Sequence, residues 1–470
     1  MNLIPAQPAP TESLIAVGLP EKEVKAWLRD EPKKPGRYSA DCKSFGAFWK
    51  QSSGLIRRLQ PPSSRQQRER RAAGTILDIT RESRVRFLRA HADTVYDALT
   101  AKRSRFVRLE ELVTGAAKLL PGLLPSADDI ADEKGLPQGK KTGLEIDQGL
   151  FISAVLQSEQ SGRHLCHAML LPRPEALDML PKFIKQGTAQ YPGASIARRG
   201  KAAFVTFENP RFLNAEDQTT LAGMELCVDL ALLDARIEVV VLRGSAVEHP
   251  KYKDRRVFGS GINLTHLYHG RIPFLWYLIR DMGYVNKLYR GLAFENQPPP
   301  DEFGGNTLEK PIIAAVESFA IGGHCQILLA VDYVLAEKTA FMTLPARKEG
   351  IIPGAANMRL PRAVGDRLAR QAIQYERRLE CDSPEGRMIC DEIVEPGTMD
   401  QAIERVVNGL TSSGVVSAAS NRRAFRITQE PLDMFRNYFA VYAREQAYCH
   451  FSPALISNLE TYWNAQNRKP

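Results

Sequence analysis

Cysteine is scarce in this chain: seven residues in 470, odd in number, scattered, and without a Cys-x-x-Cys pair. That usage excludes a disulfide framework and a zinc knuckle and leaves reduced, mostly buried thiols as the expectation. No apolar run approaches the ~18 residues that a membrane-spanning helix needs, so no membrane partner is expected. The opening MNLIPAQPAPTESLIAV lacks the basic segment and continuous apolar stretch of a secretory signal, and a cytoplasmic location is the expectation. Neither a Walker motif nor a Gly-x-Gly-x-x-Gly fingerprint occurs, so ATP, NAD and FAD are not indicated. The pairs His164/His167 and His266/His269 have a spacing that could place two ligands on one helical face. Neither has a carboxylate in a recognised arrangement, and no metal is expected.

What is present is the composition of an ordinary soluble protein, 44% hydrophobic and 25% charged. At ~150 residues per domain the length suggests two or three units. The net charge of +9 suits an anionic partner, either nucleic acid or a phosphate-bearing small molecule. The most basic run, RRLQPPSSRQQRERRAAG, reads as a solvated surface segment, and no aromatic-rich RNA motif accompanies it.

Along residues 1–195 the apolar positions follow helical periodicity, as in TILDITRESRVRFLRAHADTVYDALTAKRSRFVRLEELVTGAAKLL, which predicts a mainly helical domain. From Lys201 the character changes. AAFVTF, IEVVVLRG and KPIIAAVESF are apolar, β-branched runs of the kind found in buried parallel strands, and a helix is predicted from Ala215 to Leu233. Alternating β and α units predict a layered α/β domain over 196–400. Residues 401–470 return to amphipathic helix and are read as an oligomerisation region.

Two glycine turns stand out, RVFGSGINL at 256–264 and IGGHC at 321–325. In each a strand is expected to end where small residues let backbone approach a ligand. Two converging N–H groups are what an oxyanion requires, each donor contributing ~3 kcal/mol to the barrier. These segments, with ESFAIGGHCQILLAVDYVLAEKTAFMTLPARKEGIIPGAANMRLPRAVG, resemble the crotonase (enoyl-CoA hydratase/isomerase) superfamily across most of residues 200–400. The resemblance implies an α/β fold with a crotonase-like spiral ββα core, an acyl-CoA thioester ligand, and an oxyanion hole from the amides of Ile262 and Gly323. It implies homotrimers, often paired into hexamers.

Two departures from the hydratase pattern matter. Gln326 and Ala346 stand where hydratases carry glutamates, so the general acid/base pair that adds water across a double bond is missing. Together with the N-terminal helical half and the FGSGINLTHLYHGRIPFLWYLIRDMGYVNKLYRGL insertion, these departures resemble a cofactor-independent branch of the superfamily. Its members are the (3,5-dihydroxyphenyl)acetyl-CoA 1,2-dioxygenases that supply dihydroxyphenylglycine for vancomycin-type glycopeptide-antibiotic biosynthesis. That resemblance implies an oxidoreductase consuming O2 and an arylacetyl-CoA through an oxyanion-stabilised carbanion, with no cofactor. It places Leu264, Ala346 and Ile351 around an O2 pocket and Glu216, expected at a helix start, beside the substrate's ring hydroxyls. Arg280 is a candidate for pairing with ring oxygens or substrate charge. His249, Tyr252 and Arg256, followed by Ser260, Gly261 and Asn263, are candidate substrate-binding residues along the first turn. Two other readings remain: a crotonase-type thioester hydrolase using the same hole, and an RNA-binding homologue.

Overall fold

The computed structural model describes residues 10–296, 307–412 and 414–469. The first nine residues, on which the reading of the N-terminus partly rests, lie outside the described residues. Helices Tyr38–Arg57, Gln67–Leu99, Ile146–Gln157 and Glu159–Leu170 dominate the N-terminal part. The long helix Gln67–Leu99 starts at a capping box formed by Gln66 and Glu69. It buries Ile76, Leu77, Phe87, Leu88 and Val95, the three-and-four spacing that its sequence predicts.

Ten strands follow among the described residues: β1 Thr188–Tyr191, β2 Ala194–Arg199, β3 Ala202–Phe207, β4 Val239–Gly244, β5 Ile312–Val316, β6 Phe319–Ile321, β7 Tyr333–Glu337, β8 Phe341–Thr343, β9 Leu379–Glu380 and β10 Glu392–Val394. Seven form one sheet in the order β1-β2-β3-β4-β5-β7-β10, and β6, β8 and β9 form a small second sheet. In the large sheet β1–β2 and β2–β3 pair antiparallel and the remaining neighbours pair parallel. Alternation along the central strands divides the side chains between two faces. Val239, Val241, Ile313, Ala315 and Leu335 pack under Met399, Ala402 and Ile403 of helix Met399–Thr411. Val240, Leu242, Ala314, Val316 and Val334 join the main core. Burial on both faces explains why these strands read as continuous apolar runs, each such side chain contributing ~1.5–3 kcal/mol.

Two details differ from expectation. The sheet opens at Thr188, ahead of the boundary expected at 196. The hairpin β1–β2 lies at a sheet edge with half-exposed side chains and carries no β-branched run. The helix expected from Ala215 begins only at Leu221. Glu216 is held in an extended bridge, because its N–H donates to Gly261 O (2.8 Å) and the Asn263 N–H donates to Glu216 O (2.8 Å), and a turn at 218–220 leads into the helix. Glu216 is therefore not a helix N-terminal carboxylate. The helix after the second glycine turn is short, Gly323–Leu328.

Candidate active site

The small sheet brings the two glycine turns together. The Gly259 N–H donates to Phe319 O (3.4 Å) and the Ile321 N–H to Gly259 O (3.0 Å), so the first turn is stitched to β6, which leads directly into the second. Gly261 (φ +81°) and Gly322 (φ +54°) both need the left-handed region that favours glycine. They also touch: a Cβ on Gly261 would stand 3.3 Å from the Gly323 nitrogen. Among the described residues neither the Ile262 amide nor the Gly323 amide has an acceptor. Two unsatisfied N–H groups on adjacent turns are an arrangement that can accept an oxyanion.

His324, fully buried between Phe207 and Phe258, accepts a hydrogen bond at Nδ1 from the Gly261 N–H (3.1 Å). Burial pushes it down to about 4, so it is neutral at pH 7 and holds the first turn as an acceptor. A cavity of about 30 Å³ opens beside the hole, and Ile262, Gly323, Gln326, Arg280, Ala346 and Ile351 all line it. The space admits a water-sized molecule but nothing as large as an aromatic ring unless its walls part.

Arg280 is the hub of the site and is 2% exposed. Its Nε donates to both oxygens of Glu216 (3.0 and 2.9 Å), its Nη1 to Asp281 (2.7 Å) and to Gln326 Oε1 (3.0 Å), and its Nη2 to Gly323 O (2.8 Å) and Glu216 Oε2 (2.8 Å). Every guanidinium N–H is therefore committed within the protein. Burial alone would raise the Glu216 carboxyl, but Arg280 and the hydroxyl of Tyr284 hold it below the ordinary glutamate value. Asp281 is pushed up by burial despite Arg280. Gln326 takes its orientation from Arg280 and leaves its NH2 without an acceptor among the described residues.

The remaining candidates lie around this centre. Glu216 sits behind Arg280 rather than in the cavity wall. The Asn263 side chain accepts from the His266 N–H (3.1 Å) at the start of helix Leu264–Tyr268 and donates to Asp217 (3.0 Å). Ser260 Oγ donates to Phe212 O (3.1 Å). Leu264 is half-buried against the core and is not part of the cavity wall, unlike Ala346 and Ile351. His249 and Arg256 are exposed on the loop before the first turn, and Tyr252 stands edge-on to Phe319 at 5.1 Å.

The histidine pairs diverge. His164 bonds to Tyr96 Oη (2.8 Å) and His167 to Phe294 O (3.2 Å), while His266 faces Asp217 (2.9 Å) and His269 faces Arg468 O (3.0 Å). Asp281, Tyr284 and Glu349 belong to the site as well. They were not singled out in the sequence because a charged or phenolic residue inside a polar run carries no sign of its burial.

Comparison with known proteins gives the family. The family model for enoyl-CoA hydratase/isomerase covers residues 305–431. The (3,5-dihydroxyphenyl)acetyl-CoA 1,2-dioxygenase of Amycolatopsis orientalis is 44% identical over 394 residues, 84% of this chain and 89% of that protein. The chain belongs to the crotonase superfamily. A short-chain-enoyl-CoA hydratase of Clostridium acetobutylicum is 27% identical over 239 residues, 49% of this chain and 79% of its own length. Among solved structures, an enoyl-CoA hydratase from Mycobacterium avium subsp. paratuberculosis K-10 matches 60% of this chain and 98% of its own, at 21% identity and a TM-score of 0.48. The chain is a crotonase core flanked by helical segments.

Proposed function

We propose that this crotonase-superfamily enzyme is a dioxygenase that converts (3,5-dihydroxyphenyl)acetyl-CoA and O2 to 3,5-dihydroxyphenylglyoxylate and CoA. The observation that carries the reading is the pairing of an intact oxyanion hole with Gln326 and Ala346 in the same cavity. The amides can hold an enolate, while the two positions from which a hydratase works on water have no carboxylate. A thioester α-carbon bearing an electron-rich aryl group becomes a delocalised carbanion once its carbonyl oxygen lies between the Ile262 and Gly323 N–H groups. Such a carbanion reduces O2 directly, so the chemistry requires no bound metal or flavin. Both oxygen atoms enter the glyoxylate; of the two α-hydrogens, one ends on its carboxyl group and one on the CoA thiol.

Ala346 and Ile351 give the cavity an apolar wall suited to O2, and Gln326 hydrogen-bonds there without placing a negative charge beside the carbanion. Glu216, set by Arg280 and Tyr284, orients the ring hydroxyls from behind when the walls part. The exposed loop with His249, Tyr252 and Arg256 takes the CoA moiety. Oxygen uptake and CoA release, measured together on this thioester, test the reading. One O2 consumed per CoA, with full activity in chelator and without stoichiometric metal or flavin, is expected. CoA released at an undiminished rate under strict anaerobiosis would make the site a thioester hydrolase instead.

A further inference from the structure

Carbanion formation needs a base, and three carboxyls surround the site. Glu216 is bound by Arg280 and Tyr284 and stays below the ordinary value, and Asp281 is held by Arg280 at 2.7 Å. Glu349 lines the cavity as Asp281 does, but it differs from both in having no hydrogen-bond or ion-pair partner for its carboxyl among the described residues, although it is 5% exposed. A Cβ on Gly322 would stand 3.6 Å from Glu349 Oε1, so the carboxyl is in van der Waals reach of the turn that carries the Gly323 amide. Glu349 also lies three residues after Ala346 on the short helix Ala346–Glu349. Residues at that spacing share a helix face, so a carboxyl is kept one turn from the position where the hydratase glutamate is missing.

We propose that Glu349 is the base that removes the α-proton, a role that rests on the arylacetyl-CoA reading above. The Cα–H bond breaks and its proton goes to a Glu349 oxygen. The electron pair spreads into the aryl ring and onto the thioester oxygen held by the Ile262 and Gly323 amides. In air, O2 then competes with return of that proton.

The surroundings leave Glu349 free to titrate. Arg347 and Lys348 of its own helix pair with Glu376 (3.2 and 2.7 Å). Arg280 is committed to Glu216 and Asp281. Tyr277 faces the cavity with its hydroxyl 3.3 Å from His450 Nδ1, and burial holds both neutral, the phenol well above its ordinary value and the imidazole down to about 3. Tyr442 is likewise pushed up by burial. Burial, with the charge of Glu376 added, pushes Glu349 up to about 7, the range in which a carboxylate is an effective base near neutral pH.

The test is exchange of the α-hydrogens of (3,5-dihydroxyphenyl)acetyl-CoA in D2O under strict anaerobiosis, followed by mass spectrometry across pH. Wild-type exchange is expected to rise through a midpoint near 7. Glu349→Gln is expected to lose at least ~100-fold in exchange and in oxygen uptake while retaining thioester affinity and a folded circular dichroism spectrum. Glu376→Gln is expected to move the midpoint to lower pH. Exchange by Glu349→Gln at the wild-type rate, or an unmoved midpoint in Glu376→Gln, would overturn the assignment. A wild type that neither takes up O2 nor releases CoA from this thioester would instead overturn the dioxygenase reading.

Discussion

Gly323 meets two demands at one position: its N–H is left without an acceptor among the described residues, as the proposed oxyanion hole requires, and its carbonyl accepts from Arg280. A Cβ there would lie 2.8 Å from Arg280 Nη2 and 2.9 Å from Glu216 Oε2. Gly323→Ala is therefore expected to displace the Arg280–Glu216 pair and the amide together. The loss in kcat should be ~10²–10³-fold with a smaller change in KM, measured by oxygen uptake. Arg280→Met leaves Glu216 and Asp281 buried without their cation, and removal of one partner from such a pair costs ~3–5 kcal/mol. Denaturant titration should show that loss even in a variant with no assayable activity.

Glu349 gives stability a pH dependence of the opposite sign to most carboxylates. Its folded pKa is raised from 4.5 to about 7, so as pH rises the unfolded chain loses its proton first, and stability falls between pH 4.5 and 7. Ionising the group inside the fold costs about 3 kcal/mol at ~1.4 kcal/mol per pKa unit. Glu349→Gln is thus expected to be more stable than wild type at pH 8 and equal to it at pH 4.5. Melting temperatures at the two pH values check this, and an equal gain at both would assign the effect to packing.

The helix Ala346–Glu349 is a single turn, too short to form by itself. Arg347 and Lys348 fix it to Glu376 from outside, and the Asn458 side chain and Trp463 Nε1 bond to the Arg347 and Lys348 carbonyls (3.0 and 3.2 Å). Its inner face presents Ala346 and Glu349 to the cavity. Ala346→Glu adds a third carboxyl, beside Asp281 and Glu349, to a space of about 30 Å³. It is expected to raise the apparent KM for O2 and slow oxygenation, with anaerobic exchange of the α-hydrogens affected less. Unchanged oxygen kinetics would remove Ala346 from the oxygen path.

The same element shows where sequence reading reaches and where it stops. The strands β3, β4, β5 and β7 are legible because burial on both faces demands β-branched runs, and the glycine turns are legible because only glycine fits them. ARKEG, by contrast, is a mostly charged run whose letters carry no sign of burial. Nothing local reveals that Arg347 and Lys348 are bound to Glu376, or that Glu349 faces inward. The late start of the helix Leu221–Leu233 is likewise set by a long-range bridge between Glu216 and Ile262.

At the scale of the whole molecule, helical segments and crotonase core share one continuous set of buried side chains, running from Leu14 through the sheet to Ala465. Packing thus crosses both boundaries expected at 195 and 400. Arg108, from the N-terminal helices, binds Glu225 of the core (2.8 Å), and Glu225 binds Lys287 (2.8 Å) in the helix Tyr284–Arg290 that also supplies Tyr284 to the site. The C-terminal helices carry Val416, Phe425 and Val441 exposed, apolar positions suited to the trimer contacts that the superfamily resemblance implies. Sedimentation is expected to give a trimer or its dimer, and a monodisperse monomer would contradict that.

Gly149 tests the continuity most directly. It lies where helix Ile146–Gln157 crosses helix Leu432–His450. A Cβ there would meet Ala443 O and Ala447 Cβ at 2.6 Å and the Phe274 ring at 3.1 Å. Phe274 immediately precedes helix Leu275–Met282, which carries Arg280. Gly149→Val therefore pushes apart the N- and C-terminal helices and shifts the base of the element that holds Glu216 and Gln326. Overpacking of this kind costs ~1–3 kcal/mol. Far-ultraviolet circular dichroism and loss of activity on heating are expected to move down together as one transition. If the helical segments melted first and the core kept its activity, the flanking helices would be an independent unit, and their contact with the site would be incidental.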